Sequence, residues 1–527
     1  MKHVSLLRFS ALTLVGVGSV LFAACSSDSD RGGGGAGTSS GGHASAGMSA
    51  GGASAGMSGE ANAGTSEGGA AGEQSSGGVG GVGDVGGLGG EGASDDGGAA
   101  GSASSTRFTV TLENIGPTRL FTSAGVFNTP VGDAGPGPAT PGKMYQFTID
   151  AGRKQRLSFA TMLAATNDLF FAPEGVGIAL YDAAGAPLTG DVTSQIRLWD
   201  AGTEVNEEPI VGPNTVSKQA AANTGPDEHG NVVDIANATD GVHFDYPAVA
   251  DVIQVTVTHS GGTHFLITIK DVSTSNTLVT SMGNFAAPVS PGVWVVHNAP
   301  NPLFTVGMPD RGQGLERIAE DGNPAALGAF VAANAGITYP ASPGVWVVHR
   351  AGSKPLFTAG MADYGAGIEA IAEDGNPAAL GANLSLLDGE RAGAIFNTPV
   401  GASSPGPILP GSRYRFSFEA SPGDALSFAS MLAATNDVFF GPSAAGIPLF
   451  DASGAPISGD VSGQISLWDA GSEGNEEPGI GPNTVTNQLA PNTGTAGEGK
   501  VQLLSAVNDG FTYPMPSSLL KVSIAAE

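Results

Sequence analysis

Apolar and polar side chains alternate in short runs along the chain from residue 107 onward. The alternation is clear in Phe108–Glu113, in Tyr145–Asp150 and in Val252–Val257. Such alternation is typical of β-strands that bury one face. Clusters of Gly and Pro separate the runs, and few stretches have the pattern of a helix. The pattern predicts an all-β chain of antiparallel β-sandwiches, with a few short helices in its second domain.

Two segments of the chain occur twice, and both repeats have the same offset of 269 residues. Ala164–Phe171 returns as Ala433–Phe440, and Leu198–Glu204 returns as Leu467–Glu473. A common offset for two separated segments indicates a duplicated domain rather than two chance matches. The predicted domains cover residues 107–260 and 263–527.

A shorter repeat lies within the predicted second domain, at residues 291–329 and 343–382. Each copy begins with Pro-Gly-Val-Trp-Val-Val-His and contains Glu-Asp-Gly-Asn-Pro, which predicts a strand, a loop and a short helical segment. On this division the first domain lacks the unit and the second carries it twice. His297 and His349 are of a residue type that binds metals, but a strand-end histidine copied by duplication is the simpler interpretation.

The composition of the whole chain narrows the class of protein. The formal net charge is −28, and nucleic-acid binding needs a Lys/Arg surface, so we expect no nucleic-acid partner. Surplus acid serves solubility and also suits a protein that binds hard cations. The single cysteine, Cys25, excludes an intrachain disulfide, so the domains must be stable through their cores or through bound metal.

Residues 1–24 have the pattern of a secretion signal. A basic start precedes an apolar run that is too short and too rich in glycine for a membrane span. The run ends in Ala23-Ala24-Cys25, which resembles the lipobox of bacterial lipoproteins. The resemblance implies a lipid on Cys25 that holds the protein at the membrane, and Ser26 implies the outer membrane. The alternative is an ordinary cleaved signal with an incidental cysteine.

Residues 25–105 are rich in Gly, Ala and Ser, with scattered acids. Apolar residues are too sparse here to bury a core, so the sequence predicts a disordered tether. A flexible coil of roughly eighty residues spans on the order of 50 Å root-mean-square. Such a tether lifts the folded domains clear of the lipid, as expected for a protein exposed at the cell surface.

Acidic residues follow or end strands in both predicted domains. In the first domain Asp168 follows one strand, Asp200 ends another, and Glu204 lies four residues further, beyond Gly202. A glycine in that place lets the chain turn back, so that three carboxylates can face one point, and calcium prefers such oxygen ligands. The spacing alone is a weak pattern, because Asp and Gly also form ordinary turns.

The residues around these acids resemble a known family. Asn-Asp-Leu-Phe-Phe at 167–171 and Gly-Asp-Val-Thr-Ser-Gln-Ile-Arg-Leu-Trp-Asp-Ala-Gly-Thr-Glu at 190–204 are similar to the spondin domain. The resemblance implies a C2-type β-sandwich that binds one calcium ion through an acid after one strand and both acids of a Tyr-Asp-Ala-Gly-Thr-Asp loop. The ligands that it implies are Asp168, Asp200 and Glu204 in the first domain and Asp437, Asp469 and Glu473 in the second. The chain departs from the family at Asn167, Trp199 and Glu204, where the family has Pro, Tyr and Asp.

Three functions are compatible with these features. The first is a non-enzymatic, cell-surface lipoprotein of the bacterial outer membrane, whose calcium-binding domains contact an extracellular protein or matrix in adhesion. The second is a surface module that binds polysaccharide. The third is a glycosidase that uses Asp168 with Asp200 or Glu204 as its carboxyl pair. We favour the first, because three acids around one point suit a cation better than an acid–base pair with separated pKa values.

Overall fold

The computed structural model describes residues 105–238 and 244–527. The predictions for the signal peptide, for Cys25 and for the tether lie outside these residues, apart from Ser105. Helices in the described part of the chain are short, and none of them is long and apolar enough to cross a bilayer.

Strands and helices are numbered in chain order. The strands of the first part of the chain are β1 (Thr106–Asn114), β2 (Ser123–Phe127), β3 (Met144–Asp150), β4 (Arg156–Leu163), β5 (Leu169–Pro173), β6 (Ile178–Ala179), β7 (Gly190–Asp191), β8 (Ile196–Asp200), β9 (Val233–Asp234), β10 (Ile253–Gly261), β11 (His264–Asp271), β12 (Leu278–Thr280), β13 (Gly283–Phe285) and β14 (Val289–His297). The later strands are β15 (Ala341–Arg350), β16 (Glu390–Phe396), β17 (Arg413–Ala420), β18 (Asp424–Leu432), β19 (Val438–Gly441), β20 (Ile447–Pro448), β21 (Gly459–Asp460), β22 (Ser466–Asp469), β23 (Gln502–Leu503) and β24 (Leu520–Ala526). The α-helices are α1 (Val249–Val252), α2 (Leu315–Asp321), α3 (Ala325–Ala333), α4 (Ile368–Asp374) and α5 (Ala378–Ala382). Single 3₁₀ turns lie at Thr193–Gln195, Ile235–Asn237, Leu384–Leu386, Ser462–Gln464, Leu504–Ala506 and Pro516–Ser518.

All of these strands except β12 and β13, which form a separate hairpin, build two sandwiches of the same design. In the first, a sheet in the order β3-β11-β10-β7 faces a larger sheet in the order β2-β14-β4-β5-β8-β9, with β6 beside β4. In the second, the sheet β17-β1-β24-β21 faces β16-β15-β18-β19-β22-β23, with β20 beside β18. The prediction of antiparallel β-sandwiches with a few short helices is confirmed.

The larger sheet of each sandwich is covered on both faces. All residues of β4 after Arg156 are buried, because one face packs in the sandwich core and the other packs against helix α2. The strand β18 is buried along its whole length for the same reason, with α4 on its outer face. By contrast, β17 alternates buried and exposed residues, as a strand with one solvent face does.

The strand pairing divides the chain differently from the predicted domain ranges. The strand β1, expected to open the first domain, pairs with β17 and β24 and so completes the second sandwich. The strand β11, expected to open the second domain, forms a hairpin with β10 inside the first sandwich. The predicted boundary between residues 260 and 263 therefore falls within this hairpin. Alternation along a strand shows that one face is buried, but it does not identify the neighbouring strand.

Each sandwich contains one copy of the shorter repeat. The first copy supplies β14, which lies between β2 and β4, together with α2 and α3. The second copy supplies β15, which lies between β16 and β18, together with α4 and α5. The expectation that one domain lacks the unit and the other has two is therefore wrong. The unit follows the other strands of the larger sheet in one sandwich and precedes them in the other, so the two sandwiches are circular permutations of one arrangement.

Replacing Phe108 with alanine should destabilise the second sandwich, although residue 108 precedes the first sandwich in the chain. Its ring is fully buried, with centroids 5.9 Å from Phe418 and 5.5 Å from Phe450. Such a truncation costs about 3–5 kcal/mol of stability. Hydrogen exchange should rise in β24 while β10 stays protected. Phe265→Ala on β11 is the matched control and should expose β10 instead; the same exchange pattern in both variants would contradict the pairing of β1.

Candidate metal centre

Two of the predicted acids lie at one end of the larger sheet of the first sandwich. Asp168 immediately precedes β5, and Asp200 is the last residue of β8. These strands pair antiparallel with Leu169 opposite Asp200, so the two aspartates reach the same edge. Both side chains are buried. The structure therefore brings Asp168 and Asp200 together, as the sequence predicts.

A third carboxylate reaches this place from a loop that the sequence analysis did not identify. Oxygens of Asp168, Asp200 and the half-buried Glu228 all lie within 4.8 Å of one another. Val233 pairs with Asp200 where β9 joins β8, so the segment that carries Glu228 returns past the end of β8. This acidic triad can hold a metal ion.

Glu204, predicted as the third ligand, has other partners. Its Oε1 accepts a hydrogen bond of 2.7 Å from the Gly225 N–H, and its Oε2 accepts one of 3.4 Å from the Asn167 amide. Its backbone N–H donates to Asp168 at 3.1 Å. Because Gly225 lies three residues before Glu228, the Glu204 carboxylate holds the loop that carries the third acid. Glu204 is therefore placed as a positioning residue rather than as a member of the triad.

Hydrogen bonds hold the Asp168 carboxylate but do not neutralise it. It accepts from the Thr203 hydroxyl at 2.7 Å, from the Thr203 N–H at 2.9 Å and from the Glu204 N–H. Burial raises the pKa of Asp168 well above its usual range, and the charge of Asp200 raises it further. Two carboxylate charges within 4.8 Å repel each other by about 3.5 kcal/mol or more at an effective dielectric constant of about 20. At neutral pH this cluster therefore needs a proton or a cation.

The Asp200 carboxylate is held by the turn that follows β8. It accepts a hydrogen bond of 2.7 Å from the Gly202 N–H and one of 2.6 Å from the Asn206 amide. Gly202 has a φ of 69°, and a Cβ there would lie 2.7 Å from the backbone nitrogen of Asn231. Glycine is needed at this position, because the turn and the returning loop are in close contact.

The second sandwich repeats the aspartate pair. Asp437 precedes β19 and Asp469 ends β22, in the same register as in the first sandwich. Burial raises the pKa of Asp437 to about 9, and the nearby Asp469 carboxyl group raises it further. Glu473 accepts a hydrogen bond of 2.6 Å from the Gly494 N–H and is thus placed like Glu204. The raised pKa of Asp437 favours its neutral form at neutral pH.

Glu228 has no acidic counterpart in the second sandwich. The residue 269 positions after it is Gly497. A Cβ at Gly497 would lie 2.5 Å from the carbonyl oxygen of Glu473 and 2.6 Å from that of Gly471, so the backbone leaves no room for a side chain. The two centres therefore differ in charge, with three carboxyl groups in the first and two in the second.

The sequence did not identify Glu228 as a candidate ligand, because its position near the two aspartates depends on tertiary structure. It stands 28 residues after Asp200, within an irregular loop. The strand β9 that draws the loop back has two residues, too few to show alternation. The adjacent acids Asp227 and Glu228 are the only local signal, and the duplication does not repeat it at Glu228, because the corresponding residue is Gly497.

The two repeated histidines are structural, as interpreted from the sequence. His297 is buried, with Nδ1 2.6 Å from the Ala299 carbonyl oxygen and Nε2 2.9 Å from the Ser158 hydroxyl. Burial lowers the pKa of His297 to about 4, so the ring is neutral and donates from Nδ1. His349 makes the corresponding contact with Ser427, and burial lowers its pKa as well. Neither histidine belongs to the triad.

Lowering the pH from 6.5 to 4 should destabilise the fold through His297. Its folded-state pKa of about 4 lies below the ordinary value of 6.5, so the unfolded chain takes up the proton first. The stabilisation is complete above pH 6.5 and is lost as the pH falls towards 4, by on the order of 3 kcal/mol. Denaturant titrations of wild type and His297→Asn test this. The free energy of unfolding should depend less steeply on pH in the variant; parallel curves would refute the assignment.

The chain matches no protein-family model, no curated protein and no solved structure. Its resemblance to the spondin domain stays a prediction from the sequence. Functional conclusions therefore depend on the geometry and chemistry of the acidic triad and of the loops around it.

Proposed function

We propose that the protein is a non-enzymatic, calcium-binding surface protein whose first sandwich holds one Ca²⁺ on Asp168, Asp200 and Glu228. The observation that carries the proposal is the approach of three carboxylates to within 4.8 Å of one another. Calcium takes oxygen ligands at about 2.3–2.6 Å, so oxygens on opposite sides of the ion lie about 5 Å apart. The triad has this spread and this chemistry. Backbone carbonyls and water would complete the coordination shell.

The ion would act as a structural cross-link. Its three ligands belong to the turn before β5, to the end of β8 and to the loop before β9. A cation there offsets the repulsion among the buried carboxylates and ties these segments together. Loops at the end of a β-sandwich are a usual place for ligand contact. Calcium would thus order a surface suited to adhesion to an extracellular protein or matrix.

Calcium binding should depend on the acidic triad and not on the aspartate pair of the second sandwich. The purified protein should bind one calcium ion per chain, and calcium at 100 times its dissociation constant should add about 2.7 kcal/mol to the free energy of unfolding. Asp168→Asn should remove both effects. Asp437→Asn, at the corresponding place in the second sandwich, is the matched control and should keep them. Metal analysis and melting with calcium or chelator measure this; two ions per chain, or equal losses in both variants, would refute the proposal.

Calcium titration of two further variants distinguishes the ligands that the structure brings together from those that the spondin resemblance implies. Glu228→Gln removes a ligand and should nearly abolish calcium binding. Glu204→Gln changes a residue behind the ligands and should weaken the affinity by roughly tenfold, as changes beside a metal site do. If Glu204→Gln has the larger effect, the resemblance identified the ligand correctly and the triad did not.

We further propose that a lipid on Cys25 anchors the protein in the bacterial outer membrane, with its folded part exposed at the cell surface. The lipobox-like ending of the apolar run and the composition of residues 25–105 support this. Cys25→Ser should move the protein from the membrane fraction to the soluble fraction of fractionated cells. A variant that stays with the membrane would refute the lipid anchor.

A further inference from the structure

Helix α2 packs on the outer face of the larger sheet of the first sandwich and carries one buried carboxyl group. Its apolar residues Leu315, Ile318 and Ala319 are fully buried and pack against β4 and β5. Glu320 follows them in the same helix, and its side chain is only 1% exposed. Because the apolar contacts fix the helix on the sheet, the carboxyl group of Glu320 stays inside the protein.

One hydroxyl group connects Glu320 to Asp168 of the acidic triad. The Oγ1 atom of Thr203 lies 2.7 Å from Asp168 Oδ1 and 2.8 Å from Glu320 Oε1. Among the described residues, Thr203 is the one hydrogen-bond partner of the Glu320 carboxyl group, because Oε2 has none. Burying a carboxyl group is unfavourable without a partner, so the contact with Thr203 determines where this group lies.

The Thr203 hydroxyl has a single hydrogen, so it cannot donate to both carboxyl groups. One of the two acids must therefore carry a proton and donate it to Thr203. Burial raises the pKa of Glu320 to about 8, with the charges of Glu204 and Glu316 contributing, so Glu320 is mostly neutral at pH 7. Asp168 must be a carboxylate to bind a cation. In that state Glu320 donates to Thr203, and Thr203 donates to Asp168.

The second sandwich repeats this chain of contacts. Glu373 stands 53 positions after Glu320 and is 2% exposed. It shares a hydrogen bond with Ser472, the counterpart of Thr203, and Ser472 donates to Asp437 at 2.8 Å. Both glutamates belong to the Glu-Asp-Gly-Asn-Pro motif of the shorter repeat. The repeat therefore supplies each sandwich with one buried acid behind the aspartate that precedes β5 or β19.

We propose that Glu320 is a positioning residue of the metal centre, which holds Asp168 through the Thr203 hydroxyl in the orientation that binds the cation. This inference rests on the calcium site proposed above. The N–H groups of Thr203 and Glu204 hold Asp168 Oδ2, whereas Oδ1 depends on the Thr203 hydroxyl and therefore on Glu320. Groups that hydrogen-bond to metal ligands orient those ligands, and their loss commonly weakens metal binding about ten- to a hundredfold.

Calcium titration of the full chain and three variants tests this role. Glu320→Met keeps an unbranched side chain but removes its hydrogen bond, and should weaken calcium binding about tenfold. Glu320→Gln keeps a group that can donate to Thr203 and should bind calcium like the wild type. Glu373→Met, the matched control in the second sandwich, should also leave the affinity unchanged. Wild-type affinity in Glu320→Met, or an equal loss in Glu320→Gln, would overturn the proposal.

Changes at Thr203 test whether the effect of Glu320 passes through the hydroxyl. Thr203→Val removes this group and should weaken calcium binding, whereas Thr203→Ser keeps it, as Ser472 does in the second sandwich, and should preserve binding. Thr203→Val and Glu320→Met break the same connection, so the double variant should bind calcium about as weakly as Thr203→Val alone. Losses that multiply in the double variant would show independent effects and would overturn the connection through Thr203.

Hydrogen exchange in the presence of chelator distinguishes this proposal from the calcium proposal. The Thr203 and Glu204 amides donate to Asp168 at 2.9 and 3.1 Å, so their exchange rates report how firmly the carboxyl group is held. Both amides should exchange about tenfold faster in Glu320→Met than in wild type or Glu320→Gln. This pattern in a protein that binds no calcium would refute the calcium site and keep the role of Glu320 towards Asp168. Calcium binding with unchanged exchange and affinity in Glu320→Met would refute the role of Glu320 alone.

Discussion

Repulsion between buried carboxylates at the end of a sheet is the interaction on which the candidate site depends. The register of β5 with β8 brings Asp168 beside Asp200, and the register of β19 with β22 does the same for Asp437 and Asp469. Burial and the neighbouring charge raise the pKa of the first aspartate in each pair. In the second sandwich the raised pKa of Asp437 favours a neutral carboxyl group, which relieves this repulsion. In the first sandwich a third acid adds negative charge, so a cation would relieve the repulsion better than a single proton.

The two sandwiches keep the same frame around these pairs and differ in the loop that passes them. Glu204 and Glu473 each hold a glycine N–H at the start of that loop, at 2.7 and 2.6 Å. Beyond this common anchor, one copy places Glu228 near the aspartates and the other has Gly497, where no side chain fits. The sheet edge and the glutamate anchor are the same in both sandwiches. The residue at position 228 or 497 therefore determines whether a third carboxylate is present to bind a metal ion.

The strand β1 belongs to the second sandwich and β11 belongs to the first, and this arrangement connects the two sandwiches closely. The first sandwich is inserted between β1 and the remaining strands of the second, so the chain passes between them twice. Two connections constrain relative movement more than a single linker does, which suits a protein proposed to present binding surfaces at the end of a long tether. The same topology places one copy of the shorter repeat, and with it one buried glutamate on α2 or α4, in each sandwich.

The sequence by itself determined the β class, the duplication and the meeting of Asp168 with Asp200, since alternation, a constant offset and strand-end acids are local features. Tertiary structure alone decided that β1 belongs to the second sandwich and that Glu228 stands where Glu204 was expected. These outcomes depend on which distant strands pair and on how a long loop returns. Alternation with a period of two residues shows only that one face of a strand is buried. It carries no information about which strands pair or about the path of a loop.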